Sequence, residues 1–227
     1  KATYSIDMTA NYDDQLLIKK KKNLIEGQWL GEYNAKTLSK GISYSLFLAL
    51  ANKWQIPYSI LLGGFNILAS VLITLSLKPI VKKDGYLFFV YLYFLFSPIG
   101  FTHEYSTRIY RNAIVIPSVI MIVACLLATY YRKYRSVKDI FPWFFLLTFI
   151  FPFYWFTRED SIWLLPFVAS ALLISFLQIV VGAAFKPTKD FKQIISQITF
   201  DKKKMVKLCL FFMPLIGFLF ANQCLKH

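Results

Sequence analysis

Residues 112–131 read Asn-Ala-Ile-Val-Ile-Pro-Ser-Val-Ile-Met-Ile-Val-Ala-Cys-Leu-Leu-Ala-Thr-Tyr-Tyr, and no charge falls between Arg111 and Arg132. At about 1.5 Å per helical residue, such a run covers roughly 30 Å, the hydrocarbon thickness of a bilayer. Uncharged stretches of the same kind run from Trp54 to Leu77, Gly85 to Thr102, Ile140 to Thr157, Ser161 to Phe185 and Leu208 to Leu225. The chain therefore reads as all-α, a polytopic bundle of about six spans over residues 54–227, with the last span the weakest. Pro98, Pro117, Pro142, Pro152, Pro166 and Pro214 fall within these runs, mostly near their ends, and membrane helices tolerate them there. Trp143, Trp155 and Trp163 lie near span ends, as interface anchors do.

Composition agrees. Of 227 residues, 57% are hydrophobic, 19% aromatic and only 17% charged. The 23 Phe and 14 Tyr exceed what a soluble core of this size needs. The net charge of +14 would ordinarily point to nucleic acid. Here the basic residues sit between apolar runs, so nucleic acid is excluded as a partner, and anionic lipid and topology account for them. Cys125, Cys209 and Cys224 have neither metal nor disulfide spacing and lie in apolar surroundings. The sequence begins at Lys1 without Met and ends just after an apolar run, which leads us to expect a fragment lacking a first span and a C-terminal part.

The linkers sort by charge. One set holds Lys78, Lys82 and Lys83, then Arg132 to Lys138, then Lys186 to Lys207, with fourteen Lys and Arg in all. The other set, Thr102 to Arg111 and Thr157 to Ser161, holds three. The positive-inside rule assigns the first set to the cytoplasm of a cell membrane and the second, with residues 1–53, to the outside. Residues 1–53 contain two expected interfacial helices. Asn11-Tyr-Asp13-Asp14-Gln15 opens the first, Gly27 stops it, and Lys19 to Lys22 keep it at the surface. Residues 41–53 form the second, too short to span.

Three polar constellations fall on the outer side. Asp13-Asp14 suits a general base or a divalent metal ion, and also suits the first turn of a helix capped by Asn11. In Thr102 to Arg111, a helix would put Glu104, Arg108 and Arg111 on one face, where two guanidiniums fit a phosphate or pyrophosphate. The plainer account is a Glu104–Arg108 ion pair. In Thr157-Arg158-Glu159-Asp160-Ser161, the charges of Arg158, Glu159 and Asp160 complete a polar site, or Thr157 caps a helix with Asp160 three residues on. His103 is a poor metal ligand candidate.

Tyr12-Asp13-Asp14-Gln15, then Asn23-Leu-Ile-Glu26-Gly27-Gln-Trp29-Leu-Gly31, then Thr37-Leu-Ser-Lys40-Gly41 before an apolar helix resemble the first outer loop of GT-C membrane glycosyltransferases. That superfamily includes the protein O-mannosyltransferases and the lipid A aminoarabinose transferases. The chain also looks like multi-pass proteins of Gram-positive bacteria with an Arg-Glu-Asp-Ser-Ile-Trp loop. The likeness of motif covers about residues 12–45 and departs from the family in its Asp-Asp pair, in Gly41-Ile42 where Pro-Pro is usual, and in the missing first span. It implies sugar transfer from a polyprenyl-phosphate donor to an outer acceptor. Asp13 or Asp14 would assist the acceptor hydroxyl, Lys40 would stand in the family's Lys position, and Arg108, Arg111 or Arg158 would neutralise the departing phosphate. A transporter or flippase is the main alternative, or a structural subunit. Against transport, span interiors from Trp54 to Phe185 hold no ionisable acid or base.

The topology can be tested with an impermeant thiol reagent on intact cells carrying a Cys-free background. Ser106→Cys is expected to label and Ser136→Cys to stay protected. The opposite pattern would sink the scheme.

Overall fold

An apolar run removed from water must satisfy its own backbone N–H and C=O groups, and this chain does so with helices throughout. The structure, a computed structural model, describes residues 13–28, 41–97, 111–158, 160–181 and 202–226. Nine α-helices are described: α1 (Asp13–Ile25), α2 (Ser43–Lys53), α3 (Tyr58–Leu77), α4 (Asp84–Leu95), α5 (Asn112–Arg132), α6 (Val137–Trp155), α7 (Leu165–Val181), α8 (Lys202–Leu210) and α9 (Met213–Lys226). A short 3-10 turn, Ser161–Leu164, leads into α7. No strand occurs among the described residues.

Five of these elements are long and apolar enough to cross a membrane: α3, α5, α6, the 3-10 turn with α7, and α8 with α9 taken together. The sixth expected span, Gly85 to Thr102, differs. Its helix α4 has 12 residues, which at about 1.5 Å each reach about 18 Å. It stops at Leu95 because Ser97 precedes Pro98, and a residue before proline is pushed out of helical geometry. Residues 98–110 lie outside the described part. The last expected span is also broken, at Phe211 and Phe212. Pro214 has no N–H to give the Leu210 carbonyl, so α8 ends there and α9 begins afresh.

Helix α5 occupies the centre. Its apolar window is 61% buried, against 28% for that of α3 and 44% for that of α6. It packs along α3 on one side and α6 on another, and α9 covers a further face of α6. Met121, Ile122, Cys125 and Leu126 from α5 meet Leu147 and Phe151 from α6 in the main cluster. The α6–α9 contact depends on Gly217, where a Cβ would overlap Thr148. Small residues let helices approach closely when lipid offers no hydrophobic drive for association. Hydroxyls inside the spans turn back on their own helices: Ser70, Thr74, Ser118, Thr148 and Ser175 each donate to the carbonyl four residues earlier. Among the described residues no buried side-chain polar atom lacks a partner.

The described residues of the two linker sets lie at opposite ends of the bundle. At one end the Arg132 guanidinium, from the last residue of α5, donates to the carbonyls of Leu75 at 2.7 Å and Ser76 at 3.2 Å in the last turn of α3. A cation there complements the negative terminus of the helix, and at Leu75 it shares a carbonyl that also accepts the Lys78 N–H. The same guanidinium lies 5.1 Å from the Trp143 ring centre on α6, so one side chain ties three helices. Lys207 Nζ reaches the Lys133 carbonyl, and Lys204 Nζ the Val180 carbonyl, at this end too. At the other end the Ser43 N–H donates to Phe156 O at 3.1 Å and Arg158 reaches Asn112.

Arg132→Met keeps the aliphatic stem but withdraws both donors. It is expected to cost about 1–3 kcal/mol, the range for losing charge-assisted hydrogen bonds, with Arg132→Lys losing less. Reversible unfolding in mixed micelles would measure both. An unchanged midpoint in the Met variant would show that Arg132 does not hold the α3–α5 contact.

Candidate functional site

The end of the bundle opposite Arg132 carries Arg158, Asp160 and the start of α5, with the α1–α2 segment packed beside them. It is built from the head segment downward. Helix α1 ends as Gly27 adopts φ 77°, and the Gln28 N–H reaches back to Asn23 O at 2.9 Å. Glycine suits that left-handed position, and the bond closes the open carbonyls of the last turn. Leu17 of α1 is buried in one cluster with Tyr44 and Phe47 of α2, Tyr58 of α3, and Ala113 and Ile114 of α5. The Ser45 hydroxyl adds a bond to Leu17 O at 3.4 Å. Thus α1 packs on α2, and α2 on the starts of α3 and α5.

Gly41 fixes how α2 enters. A Cβ there would overlap the Phe156 carbonyl oxygen, so only glycine lets the strand of chain before α2 run against the end of α6. The Ser43 N–H then bonds that same carbonyl. Nearby, the Tyr44 and Tyr58 hydroxyls share a buried hydrogen bond of 3.1 Å.

Arg158 is the best-defined charge at this end. Its Nε donates to Asp160 Oδ1 at 2.7 Å and its Nη2 to Asp160 Oδ2 at 2.5 Å, a bidentate pair. Its Nη1 donates to Asn112 Oδ1 at 3.1 Å. A guanidinium has about five N–H donors, so roughly two remain for a further oxygen-rich group. The pair is part-exposed, with side-chain exposures of 32% and 57%. Its own contribution to stability is therefore about 0–1 kcal/mol. It orients the guanidinium more than it anchors the fold.

The capping account of this loop does not describe what Thr157 and Asp160 do. Thr157 is buried, and its hydroxyl donates back to Phe153 O at 2.7 Å. Asp160 precedes the 3-10 turn yet makes no side-chain cap bond; its carboxylate faces Arg158. Ser161 Oγ bonds Tyr154 O at 3.2 Å and closes the loop.

Of the residues the sequence nominates, Arg158 and Asp160 are in contact. Arg111 immediately precedes Asn112, Arg158's other partner, and is half-buried at the start of α5. Asp13 and Asp14 are the first two residues of α1 as described, one helical turn before Leu17. Lys40, Glu104, Arg108 and Glu159 lie outside the described residues, as do Asn11 and His103. Sequence reasoning passed over Asn112, although a lone amide opening a 20-residue apolar run was the available signal. It also passed over the Tyr44–Tyr58 pair. Among the described residues no group of three His, Cys, Asp or Glu could hold a metal ion.

Gly41→Ala is expected to destabilise by about 1–3 kcal/mol, the usual cost of forcing an extra carbon into a packed site. Gly85→Ala, where a Cβ meets nothing within 4 Å, should be neutral or slightly stabilising. Thermal unfolding of the two variants side by side is the measurement. Equal effects would remove the close approach at Phe156.

No protein-family model, curated protein or solved structure matches this chain. The described residues form an all-helical bundle with five apolar elements long enough to span a membrane, and that is the class to which its geometry assigns it.

Proposed function

We propose that this chain is part of a membrane glycosyltransferase that moves a sugar from a polyprenyl-phosphate donor to an acceptor on the outer side of the membrane. The observation that carries the reading is the Arg158 guanidinium, oriented by Asp160 and Asn112 at the same end of the bundle as the docked α1–α2 head segment. Head groups of lipid-linked sugars occupy the membrane boundary, where such an end would lie. The self-satisfied hydroxyls of the spans also suit an enzyme better than a transporter, which needs polar groups free along a path.

In the proposed reaction the acceptor hydroxyl oxygen forms a bond to the anomeric carbon as the bond from that carbon to the donor phosphate oxygen breaks. The departing polyprenyl phosphate keeps the electron pair and gains negative charge. Arg158, with Arg108 and Arg111, would neutralise that charge through preorganised N–H groups. An outer carboxylate, Asp13 in our assignment, would take the acceptor's proton. Asp14, counted from an Asn11 cap, falls at the third helical position, where an acid stabilises the helix start instead. Lys40, Glu104 and Glu159 remain binding candidates from the sequence, and any divalent metal ion would have to be held by the outer carboxylates.

The test is transfer from a polyprenyl-phosphate sugar by the full-length protein in membranes, with variants matched for expression. Asp13→Asn should lose about 10²- to 10⁴-fold in rate, as for removal of a general base, while Asp14→Asn keeps most activity. Arg158→Lys should fall nearly as far as Arg158→Ala, about 10²-fold, because an ammonium cannot replace a planar fork. If no variant slows transfer more than a few-fold, the glycosyltransferase reading is wrong.

A further inference from the structure

The basic end of the bundle holds a cluster that the proposed reaction does not use. Lys133 directly follows α5, and its Nζ donates to Gln178 Oε1 in the last turn of α7 while lying 3.7 Å from the Tyr130 ring centre. Lys207 of α8 donates to the carbonyl of Lys133 itself at 3.3 Å. Lys204 donates to Val180 O at 2.8 Å, and the Tyr134 hydroxyl to Gln178 O at 3.3 Å. The end of α5 and helix α8 thus bring three lysines to a groove beside the last turn of α7.

Backbone carbonyls take the bonds from Lys204 and Lys207, and the Gln178 amide oxygen the bond from Lys133, but these neutral acceptors do not explain the gathering of like charges. An ammonium has about three donors, and Lys133 and Lys207 each give one to a neutral oxygen. Among the described residues no carboxylate pairs with either. The negative end of a helix amounts to about half a charge, less than two ammonium groups bring. Half-buried charges at a bilayer boundary are costly without a counter-charge. The missing group is an anion with several oxygens.

The surroundings choose among anions. Leu173, Ile174 and Leu177 lead away from Gln178 along α7 and are exposed, as are Met205 and Val206 beside the lysines of α8. A tyrosine hydroxyl stands at the polar end of the groove. Apolar flanks beside a cationic, tyrosine-edged groove fit acyl chains beneath a charged head group. We propose that Lys133 and Lys207, flanked by Lys204 and Tyr134, bind the phosphate of one anionic phospholipid at the end of the bundle opposite Arg158. This site is independent of the glycosyltransferase reading.

The experiment titrates the detergent-purified full chain with phosphatidylglycerol, and separately with phosphatidylcholine, and counts bound lipid by native mass spectrometry. One saturable phosphatidylglycerol is expected, well ahead of phosphatidylcholine. Lys133→Gln with Lys207→Gln removes both charges and leaves a neutral side chain with an N–H donor at each position. At about fivefold per lysine, that pair should weaken binding roughly 30-fold. Lys82→Gln with Lys83→Gln removes the same charge from another linker of the basic set and should change binding less than about threefold. The single Lys133→Gln variant serves if the double variant loses its helical circular dichroism, with about a fivefold loss expected. Equal affinity for the two lipids overturns the proposal. So does an equal loss in the two double variants, which would mean diffuse attraction, or displacement of the lipid by inorganic phosphate at matched concentration, which would mean a free-anion site.

Discussion

A backbone amide inside hydrocarbon cannot take a hydrogen bond from water, so every apolar run in this chain must close its own ladder. Helices do this within one segment, and the consequences spread outward. Hydroxyl side chains in the spans bond to carbonyls of their own turn, and prolines stand within the helices at Pro117, Pro142 and Pro152 as well as at their starts. The helix ends are where the ladder runs out. There Arg132 bonds carbonyls in the last turn of α3, Lys204 a carbonyl in the last turn of α7, and Lys133 the Gln178 side chain beside it, which links helices through polar as well as apolar contacts. The basic residues at these helix ends therefore have a structural role. They join helix ends to one another.

Close approach is the other constraint. Lipid tails are as apolar as the side chains they touch, so association rests on fit. Gly217 lets α9 lie on α6 at Thr148, and Gly41 lets the head segment lie on the end of α6 at Phe156. The second contact matters most for chemistry. Through it the α1–α2 head segment is seated on the bundle, next to the loop that holds Arg158 between Asp160 and Asn112. Residues that carry no chemistry thereby determine where the polar groups meet. The same end excludes the buried hydroxyls of Tyr44 and Tyr58 from solvent by pairing them with each other.

Much of the fold was legible because length and apolarity alone say what a segment does in a bilayer. The spans over Trp54 to Leu77, Asn112 to Tyr131 and Ile140 to Thr157 reappear as α3, α5 and α6 with ends shifted by a few residues. The shifts have local causes: Pro57 starts α3 late, and Ser136 caps α6 early through Lys138 N. The described part of the run from Gly85 is the shorter α4, since an unbroken apolar run does not display the effect of Pro98 on Ser97, and the rest of that expected span lies outside the described residues. The site was less legible. Charge signs gave Arg158 and Asp160 as neighbours of function, but an i, i+2 pair in a loop has no periodicity from which a bidentate contact can be read.

The sequence by itself determined that the chain is helical, that it is built to span a membrane, and which linkers share an end. Those properties follow from composition and from the spacing of charges along one dimension. Tertiary structure alone decided that α5 lies at the centre, that Arg132 ties α3 to α5 and α6, and that Asn112 meets Arg158 across 46 residues of chain. The reason is that lipid rewards no particular pairing of apolar faces. Which helices touch depends on small residues and on bonds at helix ends, and neither leaves a periodic trace in the sequence.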